Sequence, residues 1–151
     1  MAAENRSAAR LAAVQALYQM ELAHKGLNDI FAEFETWWIG REVEGEQYKP
    51  AEIAFFRSIV GGVVENQVEI DRAVDRTLAE GWPLRRVEAL MRAILRAGAF
   101  ELLRRADIPA RVAIKEYVDV AGAFFDRDEA GMINAVLDAL ARKVRAEEFS
   151  A

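Results

Sequence analysis

The chain has 151 residues, 53% of them hydrophobic, and a formal net charge of −5. That is long enough to bury a core in one domain, and the absence of cysteine excludes disulfides and thiolate chemistry. No apolar run approaches the roughly 20 residues that cross a bilayer, the N-terminus shows no signal-peptide pattern, and the acidic balance argues against indiscriminate nucleic-acid binding. These features point to a soluble cytoplasmic protein without a membrane partner.

Helical periodicity runs along the chain with no convincing period-2 strand. The first helix spans about Arg6 to Ala23. Its apolar face, with Ala13, Val14 and Leu17, continues toward the N-terminus into Arg6 and Arg10, where a purely structural stripe would stay apolar or stop. A second helix covers about Asn28 to Ile39, with Trp37 and Trp38 read mainly as packing residues. An acidic loop with Glu42, Glu44 and Glu46 follows. Pro50 suits the first position of a third helix, within which Gly61-Gly62 implies a close approach of another element. After a bend near Gln67, a fourth helix spans about Glu69 to Ala79. Gly81-Trp82-Pro83 reads as a stop and a start, with a fifth helix from Pro83 to about Arg105. The sixth runs from about Pro109 to Phe125, and the seventh begins near Asp128 as N-cap. The expected fold is all-α, about seven helices joined by short connections, in two closely packed helical subdomains. These form a single domain, with an N-terminal layer over about 5–66 and a C-terminal bundle over about 67–145.

Catalytic constellations are missing. The one histidine, His24, supports no two-histidine metal site. Without strands there is no P-loop or dinucleotide-binding turn, and neither Ser7 nor Ser58 has a nucleophile context. The Glu42/Glu44/Glu46 cluster lacks EF-hand spacing and reads as a solvated loop. The expectation is a non-enzymatic protein with no metal and no cofactor. Arg85, Arg92 and Arg96 share a helix face with Glu88 beside them, the pattern of a solvent face carrying ion pairs.

Four segments in order, VQALYQMEL (Val14–Leu22), LRAGAFEL (Leu95–Leu102), DIPARVAIKEYVDVAGAF (Asp107–Phe124) and INAVLD (Ile133–Asp138), resemble the NusB family of bacterial transcription antitermination factors. The likeness extends over about Arg6 to Arg142. It implies an all-α, two-subdomain fold and a binding role: recognition of single-stranded boxA-type RNA of ribosomal RNA transcripts, together with NusE, a protein of the small ribosomal subunit. The pair would then help assemble an antitermination complex on RNA polymerase. Arg6 and Arg10 coincide with arginines of the family's basic N-terminal segment, which is thinner here, with Ser7, Ala8 and Ala9. Guanidinium groups projecting past a core stripe suit phosphates. Tyr18 and Phe124 match family positions associated with RNA, and aromatic rings that stack on exposed bases contribute about 1–3 kcal/mol each. Lys115 replaces the asparagine of the family's VAINE and adds a cation; Gly122 replaces a basic residue, and Met132 and Ala135 alter the last motif.

Some family-matched polar residues have a structural reading. Glu101 and Glu116 lie within apolar helices, where a carboxylate needs a partner, and Arg96 is the expected partner of Glu101. Asn134 is expected at a helix junction. Arg10 stands between phosphate contact and a half-buried ion pair.

Glu65, Glu69, Arg72 and Arg76 follow i, i+4, i+7, i+11 and form one stripe, the expected NusE surface. The alternative from a different class is a helical scaffold that binds protein with little RNA affinity, favoured by the acidic charge and the thin arginine segment. The NusB-like module of ribosomal RNA cytosine methyltransferases is set aside, since no methyltransferase domain follows Ala151. Self-association as a homodimer is left open.

Overall fold

The computed structural model describes residues 2–39, 50–78 and 83–150. The acidic loop, Gly81-Trp82 and the side chains of Trp37 and Trp38 lie outside what is described. The described residues form seven α-helices: α1 (Ala2–Ala23), α2 (Leu27–Ile39), α3 (Pro50–Glu65), α4 (Gln67–Thr77), α5 (Ala89–Arg104), α6 (Ala110–Phe124) and α7 (Arg127–Val144).

α5 is the central element. From Ala93 to Leu102 every residue except Arg96 is buried, which is what a helix apolar all round requires. It touches α1, α3, α4, α6 and α7. α1 lies against α3 and α5 with a face of small residues, Ala9, Ala12, Ala13 and Ala16, widened by Val14 and Leu17. α6 and α7 pack on each other and on α5.

Two glycines set the closest crossings. A Cβ at Gly62 would collide with the ring of Phe100, so α3 meets α5 where the sequence implied a close approach. At Gly98 a Cβ would lie 2.8 Å from Leu137 Cδ1 and 3.4 Å from Tyr117 Cδ2, where α5 meets α7 and α6. Gly61 is not constrained in this way, as its nearest neighbour would be 3.9 Å off.

Two helix starts differ from expectation. Pro83 opens a 3-10 turn, Leu84–Arg86, instead of α5. Val87 is extended at φ −73°, ψ 142°, and Glu88 then caps α5 by accepting from the amides of Leu90 (3.1 Å) and Met91 (3.4 Å). Arg92 Nη1 holds the turn by donating to the carbonyls of Leu84 (3.4 Å), Arg85 (3.3 Å) and Val87 (2.5 Å). α7 starts one residue after Asp126, not at Asp128, so Asp128 and Glu129 fall in its first turn, where the helix dipole favours negative charge.

The far end of α5 is closed by a buried arginine. Arg145, 6% exposed, donates to the carbonyls of Leu102 (2.8 Å), Glu101 (3.1 Å), Arg105 (2.6 Å) and Ile108 (3.1 Å). Helix C-termini leave carbonyls without intrahelical donors. One guanidinium supplies them here and fixes the turn between α5 and α6.

Candidate functional site

Arg10 points inward and is 2% exposed. Its Nε and Nη2 grip the fully buried Glu101 carboxylate at 2.8 and 2.9 Å, and Nη1 reaches Glu116 Oε1 at 3.0 Å. Tyr117 OH donates to Glu101 Oε2, and Ser7 Oγ donates to Glu116 Oε1 at 2.7 Å. Burial opposes the Arg10 charge, but the hydrogen bond and charge of Glu101, with Tyr117 and Glu116, hold its pKa above the ordinary arginine value. Burial, reinforced by the Glu101 charge and hydrogen bond, pushes the Tyr117 phenol well above its ordinary pKa. Glu101 is therefore paired within the core, as its apolar setting demands.

Its partner is not Arg96. Five residues separate Arg96 and Glu101, placing them about 140° apart around α5. Glu101 faces α1 and α6, whereas Arg96 makes a two-point bond to Asp71 of α4 at 2.8 and 2.9 Å. Arg92 pairs with Glu21. Asn134 is exposed on α7 rather than set in a buried junction.

Beside the buried network lies an open one. The ring of Phe55 carries three guanidinium carbons: Arg6 at 4.9 Å, Arg10 at 5.0 Å and Arg105 at 5.1 Å from its centroid. Such cation–π contacts are favourable and hold the planar group in place. Arg6 is partly exposed and makes no hydrogen bond or ion pair among the described residues. Arg105 is bidentate on Asp107, Nε–Oδ1 and Nη2–Oδ2 both 3.0 Å, and its Nη1 donates to Ser58 Oγ at 3.1 Å. The hydrogen bond from Arg105 holds the Asp107 carboxyl below its ordinary pKa despite some desolvation; the charges of Arg105 and Arg6 act the same way. Neither Phe55 nor Arg105 was singled out by sequence, because an aromatic in an apolar stripe and a basic residue at a helix end both look ordinary.

Farther along α1, Tyr18 and Phe124 line one cavity of about 510 Å³, with Gln15, Gln19 and Phe34. Its size suits a small ligand, about 300–1,000 Å³. Phe124 is 41% exposed. Twelve residues separate Arg6 from Tyr18, about 18 Å along the helix. Lys115 is not part of this cavity. Nine residues before Phe124, it stands half a turn around α6 and pairs with Asp119 at 2.8 Å in solvent.

The four stripe residues fall together. Glu65, Glu69, Arg72 and Arg76 all line one groove, with Val68, Leu103 and Val144 among its other walls. Val68 is 68% exposed, and Glu69 pairs with Arg104. The helix break at Asn66 leaves Glu65 on the same groove as the α4 residues. The apolar walls come from α4, α5 and α7 and have no signature in the local sequence.

A profile described as the NusB family matches residues 7–142. The transcription antitermination protein NusB of Rhodopseudomonas palustris (strain TIE-1) is 65% identical over 148 residues, covering 98% of this chain and 85% of that protein. A solved structure of T. maritima NusB superposes with a TM-score of 0.80 at 30% identity, covering 95% of this chain and 96% of that one. A structure of the antitermination factors NusB and NusE in complex with double-stranded RNA shares the fold at a TM-score of 0.78 and 23% identity, covering 93% and 98%. With the helical architecture and matches over nearly its whole length, this chain belongs to the NusB family.

Proposed function

We propose that this antitermination factor binds boxA-type single-stranded RNA of ribosomal RNA transcripts together with NusE, and so helps assemble an antitermination complex on RNA polymerase. The observation that carries the reading is the layout of α1: Arg6, a guanidinium over Phe55 with no ion pair among the described residues, at one end and Tyr18 sharing a cavity with Phe124 at the other. A positive head and an aromatic slot on one rigid helix suit phosphates and an unstacked base of a single strand. Arg10 supports this surface from within by tying α1 to α5 and α6, and Lys115 adds a peripheral cation on another face of α6. The 5–66 layer and the 67–145 bundle act as one unit in this reading.

The role is regulatory, a reading supported by the R. palustris relative, a transcription antitermination protein. No described helix is long and apolar enough to cross a membrane; the cytoplasmic site of action proposed here follows from a role on nascent transcripts. NusE docks on the groove bearing Glu65, Glu69, Arg72 and Arg76, whose apolar walls and mixed-charge rim fit a protein partner.

A second reading, a protein-binding scaffold with little RNA affinity, is favoured by the burial of Arg10, which removes one cation from the surface. Fluorescence anisotropy with a boxA-type RNA oligonucleotide separates the two. The first reading expects binding that NusE strengthens, and loss of that gain when Glu69 and Arg72 are reversed in charge together. Binding of NusE with no RNA affinity in either state supports the scaffold.

A further inference from the structure

The α5–α6 turn holds an arginine for which the RNA reading has no use. Arg105 shares the Phe55 ring with Arg6 and Arg10, so three positive groups converge on one side of the molecule. Their counter-ions differ. Arg10 is neutralised in the core by Glu101 and Glu116, Arg105 pairs with Asp107 at the surface, and Arg6 has no ion pair among the described residues.

Asp107 is 56% exposed, against 0% for Glu101. Its two oxygens occupy the Nε–Nη2 edge of Arg105, the fork that planar two-point recognition of a phosphate uses. The turn does not depend on this pair, since Arg145 holds the carbonyls of Arg105 and Ile108 from beneath. Ser58 and the Phe55 ring fix the guanidinium plane from two further directions. What remains is a pre-oriented fork covered by a carboxylate that solvent can reach.

We infer that Arg105 and Arg6, seated on Phe55, form a binding site for a phosphodiester of single-stranded RNA, and that Asp107 is an internal stand-in which the phosphate displaces. The exchange is favourable because a phosphodiester can hydrogen-bond Arg6 and Arg105 together, whereas Asp107 makes its hydrogen bonds to Arg105 and reaches Arg6 through its charge alone. This rests on the RNA reading proposed above and adds to it a named contact and a built-in competitor.

The test is anisotropy of a boxA-type RNA oligonucleotide over a range of salt, with folding of each variant checked by circular dichroism. Asp107→Asn is expected to tighten RNA binding several-fold, because the fork loses its charged competitor. Arg105→Ala is expected to weaken binding and make the log–log salt slope shallower by about 0.7, one phosphate on a single strand. In the Arg105→Ala/Asp107→Asn protein the gain should vanish. Arg105→Lys, which keeps the charge without the fork, should recover the slope but only part of the affinity.

Unchanged affinity and slope in both single variants would overturn the inference. So would a gain from Asp107→Asn that persists without Arg105, since that would be a general charge effect. If wild-type protein binds RNA and Arg6→Ala weakens it while the Arg105 and Asp107 variants do nothing, this site alone fails. If wild-type protein binds no RNA, the parent reading fails with it.

Discussion

Two arginine–carboxylate pairs, each with its guanidinium over the Phe55 ring, have nearly the same bond lengths and opposite surroundings. Arg10–Glu101 is sealed, with Tyr117 and Glu116 completing its hydrogen bonds. Arg105–Asp107 is built the same way at 3.0 Å but opens to solvent. Water decides what each can do. In the core neither partner can leave without stranding the other, so the pair acts as a fixed joint between α1, α5 and α6. At the surface each partner can be rehydrated, so the pair is weak and exchangeable. Identical chemistry thus gives a brace in one place and an available guanidinium in the other.

The largest effect should come from breaking the sealed pair. Arg10→Ala leaves Glu101 charged and unpaired in the core, and a loss of about 3–5 kcal/mol is expected in urea denaturation. A loss below about 1 kcal/mol would mean that water already reaches the pair. Next, Tyr117→Phe deletes the hydroxyl that donates to Glu101, and hydrogen bonds to charged groups contribute about 1.5–3 kcal/mol.

The same residue gives a pH signature. The phenol's folded pKa lies well above its ordinary 10.0. The unfolded chain therefore releases this proton first, so stability is full below about pH 10 and falls as pH rises from there toward the folded pKa. Tyr117→Phe should flatten that part of the profile, measured by thermal unfolding across alkaline pH. An unaltered alkaline slope would place the sensitive group elsewhere.

On the open side, Arg6→Ala should weaken RNA binding and make the salt slope shallower by about 0.7 without loss of thermal stability. Smallest of all is the stability change for Asp107→Asn, expected to stay within about 1 kcal/mol because an exposed pair contributes little. If Asp107→Asn cost as much as Arg10→Ala, the contrast between the buried and the exposed pair would be void.

Local signals carried much of the fold. Pro50 marks the start of α3, the apolar period locates all seven helices, and Gly62 sits at a real close crossing. Boundaries were less legible where one residue type serves two structures. A proline at the head of an α-helix and one at the head of a 3-10 turn fix the same φ, so Pro83 could not announce that α5 waits for Glu88. In the run DRDE, Asp126 and Asp128 are both competent caps.

The site was legible in a different degree. That Glu101 needed a partner follows from its apolar neighbours, but that the partner is Arg10, 91 residues away, is set by how α1 lies across α5. A five-residue spacing was already a reason against Arg96, since it turns the two side chains to different faces. Tyr18 and Phe124 came into view through family likeness, and their common cavity through the fold. Phe55 had no signal, because a ring that carries guanidinium groups reads the same as one that fills a core.

The separation of 91 residues between Arg10 and Glu101 also has a consequence for the ribosome. At about 5–20 residues per second, Arg10 is added to the chain roughly 5–18 s before its carboxylate partner. Throughout that interval the Ala9–Leu17 face and a charged guanidinium have no α5 to rest on, and α2 and α3 can shield only part of them. α1 is thus synthesised well before α5 and is among the last elements to lock. A nascent chain stalled before Glu101 should leave α1 open to protease, while one released beyond Tyr117 should protect it.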